Sequence, residues 1–203
     1  MRSVWVGTAA RLGLGAAMAL LPSLAFAHPG VGEAVGFDHG FAHPLSGLDH
    51  ILAMATVGMF AYQRGGRALW LVPAAFVLVM AAGAALGIAG VTLPFVELGI
   101  ALSVVVLGAV VAFGIKTPVA VAMGLAGFFA IFHGHAHGTE IPAAAAGLAY
   151  GAGFLAATAL LHLAGIGLGL LIGCMGERHS PAVVRTAGGL VSVAGLALLA
   201  GLV

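Results

Sequence analysis

Histidines gather in two short clusters of this chain, which contains nine of them. The first cluster has the spacing His-x5-Asp-His and consists of His43, Asp49 and His50. Pro44 is expected to interrupt any helix there, so Asp49 and His50 lie in the first turns of the following helix while His43 folds over from the preceding loop. Imidazole and carboxylate groups are ligands that divalent nickel, cobalt, zinc and copper accept. The first cluster therefore predicts a transition-metal site.

The second cluster is the stretch FHGHAHGTE at residues 132–140. If a helix continues through it, His133 and His137 lie at positions i and i+4 on one face, and Glu140 follows at i+7. These three side chains can then converge on one cation, which the negative end of the helix dipole also favours. His135 points about 200° away around the helix, so it is a candidate ligand that faces a different partner.

Three further histidines are candidate metal ligands because of their positions. His28 and His39 precede the first cluster. His28 follows a predicted cleavage site, where its free α-amine and its imidazole can chelate one divalent ion together. His162 falls near the middle of an apolar stretch, and an imidazole at that depth is either a relay along a pathway or a hydrogen-bond partner of a neighbouring helix.

The elements that must position these residues are membrane helices. Of the 203 residues, 62% are hydrophobic and 6% are charged, whereas a soluble domain carries about 25% charged residues. The apolar runs reach about 20 residues, the length of a membrane-spanning helix, and lack the short alternating segments of a membrane β-barrel. The predicted fold class is all-α, a polytopic bundle of six transmembrane helices that follows a cleavable signal peptide.

Residues 1–27 have the layout of that signal peptide. Basic residues precede a short apolar run at 12–24, and the small residues that a signal peptidase recognises end at Ala27. An uncleaved first anchor is the alternative. The mature chain then divides into an extracytoplasmic, histidine-rich segment at residues 28–45 and a transmembrane domain at residues 46–203.

The distribution of basic residues supports six spans, at 46–63, 68–90, 95–115, 118–137, 148–173 and 183–203. With the mature N-terminus outside the cell, the cytoplasmic loops contain every basic residue of the mature chain, namely Arg64, Arg67, Lys116, Arg178 and Arg185. This is the arrangement that the positive-inside rule describes. It places both histidine clusters on the extracytoplasmic side, one at the start of the first span and one at the end of the fourth.

The motifs as a whole resemble those of the HupE/UreJ family of nickel and cobalt permeases. The likeness rests on HPG at 28–30, GFxHGFxHPLSGLDHILAM at 36–54 and FHGHAHGTE at 132–140. The family's metal-handling motifs match here at His43, Asp49, His50, His133, His137 and Glu140. The resemblance implies a bacterial inner-membrane permease whose transported substrate is Ni²⁺ or Co²⁺, with no resident cofactor. It also implies delivery of the metal to the assembly of hydrogenase, urease or cobalamin.

The competing function is enzymatic. An intramembrane zinc-dependent hydrolase could use the same histidines and aspartate, with an open coordination position that activates water. No second general base is evident, however, and the candidate ligands outnumber those that one catalytic zinc needs. The sequence contains no GxxxxGK[ST] motif for ATP hydrolysis, and its scattered basic residues exclude nucleic acid as a partner. The prediction is a permease, not an enzyme, with a divalent metal ion and the lipid bilayer as partners.

Overall fold

A computed structural model describes residues 32–141, 147–176 and 178–202 of the chain, which fold into a helical bundle. A short 3₁₀ turn at His43–Leu45 joins the first two helices. The α-helices in chain order are α1 (Gly32–Ala42), α2 (Leu48–Arg64), α3 (Ala68–Ile88), α4 (Val96–Phe113), α5 (Val119–Glu140), α6 (Gly147–Gly173) and α7 (Ser180–Leu199). The described residues contain no strand, so the predicted all-α fold class is confirmed.

The helices agree with a multi-pass membrane protein. Five of them, α3 to α7, are long and apolar enough to cross a bilayer. The segments Gly36–Leu45 and Leu48–Arg64 meet at a bend of 80° and make a sixth crossing if they are counted as one broken span. The predicted single helix at 148–173 is observed as α6, which runs unbroken for 27 residues. The proposed leader at residues 1–27 lies outside the described residues.

Helix α1 was not predicted from the sequence. Residues 28–45 were predicted only to form an extramembrane segment. The helix packs on α6 through two glycines: a side chain on Gly40 would collide with the backbone of Tyr150, and one on Gly153 with the backbone of Phe37. Pro44 lies in the 3₁₀ turn after α1 and cannot donate a backbone hydrogen bond to continue the helix. The chain therefore bends there before α2 begins.

Glycines also bring the long helices together in pairs. In the α3–α5 pair, Gly83 and Gly87 face the α5 backbone, while Gly134 and Gly138 face the α3 backbone. Two further pairs form in the same way, α2 with α6 through Gly58 and Gly165, and α4 with α7 through Gly108, Gly188 and Gly195. Small residues allow such close backbone approach in lipid, where helices gain little from hydrophobic burial alone.

A methyl group at Gly134 is expected to separate the α3–α5 pair. The added carbon of Gly134→Ala would overlap the carbonyl oxygen of Met80, so the free energy of unfolding should fall by about 1–3 kcal/mol. The thermal unfolding midpoint of the detergent-purified protein measures this loss. Gly124→Ala in the same helix is the matched control, because nothing lies within 4 Å of its added carbon. An equal midpoint for the Gly134 variant would contradict the packing described above.

The bundle buries a set of polar side chains inside its apolar core. Phe60, Phe76 and Met80 are fully buried, and large apolar side chains such as Leu78 and Trp70 are exposed on the outside, where lipid can cover them. The polar residues buried in this interior include His50, Ser103, His133, His135, Thr158 and His162. Buried polar groups are costly without partners, so their arrangement defines the candidate site.

Candidate metal-binding site

The candidate site lies at the end of the bundle where α2 begins and α5 ends. The turn before α2 supplies His43 and the first turn of α2 supplies His50, while the last two turns of α5 supply His133, His137 and Glu140. Residues from both predicted clusters therefore lie in contact, although they are about 90 positions apart in sequence. They form two groups at different depths.

The surface group consists of His43, His137 and Glu140. The Glu140 Oε2 atom lies 3.3 Å from His43 Nε2 and 3.4 Å from His137 Nδ1. One ligand atom from each residue lies within 4.8 Å of the other two. The Glu140 side chain is 56% exposed, so an ion arriving from water can reach the carboxylate first. The group is a three-ligand constellation open to solvent.

The buried group consists of His50, His133 and His137. The Nδ1 atom of His50 is central, at 3.3 Å from His133 Nδ1 and 3.3 Å from His137 Nε2. His50 is 2% exposed and His133 is 0% exposed. A tetrahedral ion that holds nitrogens at about 2.0–2.1 Å separates them by about 3.3–3.4 Å. Each of the two separations matches the distance between neighbouring ligands of such an ion, and each is also the length of a hydrogen bond between imidazole nitrogens.

The hydrogen bonds of Ser103 on α4 determine which nitrogen of His133 carries a proton. A serine hydroxyl has one proton, and Ser103 Oγ donates it to the carbonyl oxygen of Ile100 at 2.6 Å. The same oxygen lies 2.9 Å from His133 Nε2, so it must accept a hydrogen bond from that nitrogen. The neutral His133 ring then presents the lone pair of Nδ1 toward His50.

The contacts of the other two rings are compatible with either tautomer. Thr158 Oγ1 lies 3.4 Å from His50 Nε2 and directs its own hydroxyl at the Met80 sulfur, 4.0 Å away. Because a methionine sulfur is a weak acceptor, the same hydroxyl can pair with His50 Nε2 in either tautomer of the ring. His137 Nδ1 lies 3.4 Å from the Glu140 carboxylate without a hydrogen bond, whereas His137 Nε2 lies within hydrogen-bond distance of His50 Nδ1. The three rings thus direct nitrogen atoms at one another, and imidazole nitrogens are ligands that divalent transition metals accept.

Asp49 has a different contact from the one expected of a ligand. Its Oδ1 atom accepts a hydrogen bond of 2.7 Å from the backbone amide of His50, and the side chain is half-buried. The carboxylate therefore lies in the first turn of α2, where a negative charge is favourable. It holds the backbone that carries His50.

Two other candidate histidines, His39 and His135, lie outside both groups. His135 faces the other side of α5, where Nε2 donates to the carbonyl oxygen of Val91 at 2.7 Å. His39 is exposed on α1, and His28 lies outside the described residues. The structure does not bring His39 or His135 to the site.

His162 lies in the interior of α6, one turn after Thr158. The residue is 1% exposed, and neither ring nitrogen has a hydrogen-bond partner among the described residues. Its ring packs edge-on against Phe76 at a centroid distance of 5.2 Å, and Phe76 contacts His133 at 5.9 Å. One phenyl ring therefore separates this imidazole from the buried group.

Ser103 and Thr158 each contribute a hydroxyl group to the site, and neither of them was identified as a site residue from the sequence. Their only signal was a hydroxyl inside a span of apolar residues, which occurs in many membrane helices as packing. Phe154 was missed as well, although its ring packs on His50 at 5.3 Å and on His137 at 4.5 Å. These neighbours fix the orientation of the imidazoles.

Comparison with known proteins adds an independent finding. The family model described as HupE / UreJ protein matches residues 16–198 of the chain. The chain is also 54% identical over 182 residues to "Protein HupE" of Rhizobium leguminosarum bv. viciae, an alignment that covers 89% of this chain and 93% of that protein. No solved structure is a significant match.

Proposed function

This chain belongs to the HupE/UreJ family, and we propose that it is a membrane permease that takes up Ni²⁺ or Co²⁺. The observation that carries the proposal is the position of His50 Nδ1. It lies 3.3 Å from a ring nitrogen of His133 and 3.3 Å from a ring nitrogen of His137. Imidazole nitrogen is a suitable ligand for both metals, and their adjacent places in the stability series leave the choice between them to geometry. The ion is the substrate, and these residues are its binding site.

The surface group is proposed to capture the ion and the buried group to receive it. His137 belongs to both, since Nδ1 faces Glu140 and Nε2 faces His50. An ion at the surface is coordinated through His137 Nδ1, and an ion in the interior through Nε2. The proton of the ring changes nitrogen as the ion moves inward. The exposed carboxylate attracts the hydrated cation, and the imidazoles then replace its water.

His162 is proposed as the next ligand along the path. It is deeper in the bundle than the buried group, and its two unpartnered nitrogens leave it able to bind a passing ion. The Phe76 ring lies between the two positions, so a movement of that ring would open the way. This proposal extends the route from the surface group to the middle of α6.

The orientation in the membrane is proposed from charge. The basic residues Arg64, Lys116 and Arg185 lie together at the far end of the bundle, and the positive-inside rule assigns that end to the cytoplasm. The surface group then faces outward in a bacterial inner membrane. Delivery of the metal to hydrogenase, urease or cobalamin assembly is proposed from family membership alone.

Transport by the purified protein tests the proposal directly. The protein is reconstituted into liposomes that enclose a metal-sensitive dye, and Ni²⁺ or Co²⁺ is added outside. We expect saturable influx that empty liposomes lack. Absence of influx for both metals would contradict the permease function. Hydrolysis of a lipid or peptide by the same protein would support the hydrolase.

Removing the charge of Glu140 is expected to weaken capture more than translocation. In Glu140→Gln the side chain keeps its size but loses the carboxylate that faces His43 and His137. The KM for uptake should rise by about tenfold while the maximal rate changes less, as when binding at the first encounter is lost. Asp38→Asn, on an exposed residue of α1, is the control for surface charge. An unchanged KM in Glu140→Gln would remove this residue from the capture site.

A further inference from the structure

A cavity lies at the opposite end of the bundle from the candidate metal-binding site. It has a volume of about 450 Å³ and is lined by the last turn of α2, the loop after α4 and the first turns of α7. Arg64 is separated from His50 by about 14 positions of α2, or roughly 21 Å along the helix. The cavity is therefore separate from the metal site, and its chemistry must be considered by itself.

Three basic side chains line this cavity, Arg64, Lys116 and Arg185. No aspartate or glutamate lines it among the residues that the structure describes. Like charges repel when they are held close together, so an arrangement of three cations is unfavourable unless an anion offsets it. The composition of the lining predicts an anionic ligand.

The arrangement of donors supports the same conclusion. The Nε atom of Arg64 is buried and has no hydrogen-bond partner among the described residues. The absence of a side chain on Gly114 makes room for the Arg185 guanidinium group. A Cβ atom on residue 114 would lie 2.9 Å from two of the guanidinium nitrogens of Arg185. Ser180 and Pro181 add the N-terminal end of α7 to the wall, where the helix dipole favours negative charge. The lining thus combines one buried, unpartnered donor, Arg64 Nε, with three formal positive charges.

We propose that this cavity binds a phosphate group, carried either by an anionic lipid headgroup or by free inorganic phosphate. Guanidinium groups match the geometry of phosphate oxygens, and lysine adds a point charge. The volume lies in the range of small-molecule sites and exceeds what one phosphate fills. Basic pockets between membrane helices near the cytoplasmic surface commonly receive lipid headgroups. The proposal does not depend on metal transport.

Lipid titration followed by native mass spectrometry tests the site on the delipidated, detergent-purified chain. We expect phosphatidylglycerol to bind with an affinity about tenfold higher than that of phosphatidylcholine. The double variant Lys116→Gln/Arg185→Gln should lose this preference. Calorimetry with inorganic phosphate is the second arm, since phosphate binding that displaces the lipid would identify free phosphate as a ligand of the same site.

The matched control removes the same number of charges from the same end of the bundle. Arg67 and Arg178 are exposed and do not line the cavity, so Arg67→Gln/Arg178→Gln should keep the lipid preference. An equal loss in both double variants would overturn the proposal, because surface charge in general would then explain the binding. It would also be overturned if the wild-type protein bound neither phosphatidylglycerol selectively nor phosphate. An unchanged thermal unfolding midpoint confirms that each variant is folded.

Discussion

Replacing His50 with alanine is expected to reduce metal uptake in liposomes by more than about 100-fold, beyond the usual cost of losing a group that only supports a ligand. The reason is geometric: His50 Nδ1 lies 3.3 Å from both His133 Nδ1 and His137 Nε2. Without this nitrogen the other two imidazoles no longer share a neighbour. Metal binding to the detergent-purified protein, measured by calorimetry, should weaken in parallel.

The control for this variant is another histidine of the same chain. His179 is exposed at the start of α7 and belongs to neither group, so His179→Ala should transport as the unmodified protein does. His50→Gln preserves part of the side-chain volume and separates loss of the ligand from loss of packing against Phe154. If a folded His50→Ala protein took up metal at the normal rate, the buried group would not be part of the path.

The second large effect is expected from Ser103, which the metal need not touch. Ser103→Ala leaves His133 Nε2 without its acceptor, so the ring is free to carry its proton on Nδ1, which faces His50. A change of this kind in the support of a histidine ligand typically costs 10–100-fold in metal affinity, and we expect about that loss here. Calorimetric titration with Ni²⁺ and Co²⁺ measures the affinity.

Two further variants show whether the effect comes from the hydroxyl. Ser103→Thr keeps the hydroxyl and should restore most of the affinity. Ser192→Ala removes a comparable serine on α7, which donates to the carbonyl oxygen of Val105 at 2.9 Å, and should leave the affinity unchanged. Equal affinities of the wild-type protein and Ser103→Ala would mean that the proton position on His133 is set by another group.

Much of the fold could be predicted from the sequence because membrane helices are encoded locally. A run of about 20 apolar residues identifies a membrane span without information from other parts of the chain. The position of Arg178 and Arg185 correctly indicated one long helix at α6 rather than two. Helix α1 could not be predicted in this way. Its sequence is rich in glycine, which weakens isolated helices, and its contacts with α6 depend on residues more than 100 positions away.

The candidate site was predictable only in part for a related reason. The spacing of His133, His137 and Glu140 correctly placed them near one end of α5, and it predicted that all three face one cation. In the structure they divide between two groups, because His43 and His50 approach from other elements at different depths. Ser103 is 30 positions from its partner His133. Which helices become neighbours is not encoded in the spacing of a motif.

The glycine-mediated helix pairs indicate how the buried group could affect the rigidity of the bundle. His50 and Thr158 belong to the α2–α6 pair, His133 to the α3–α5 pair and Ser103 to the α4–α7 pair. If each pair moves as a rigid body, the imidazole cluster lies at the junction of all three. An ion held by these imidazoles would link the α2–α6 and α3–α5 pairs, while the hydrogen bond between Ser103 and His133 connects the α4–α7 pair to them. Departure of the ion would remove this link. Binding and release of the proposed substrate would then change the rigidity of the helix bundle.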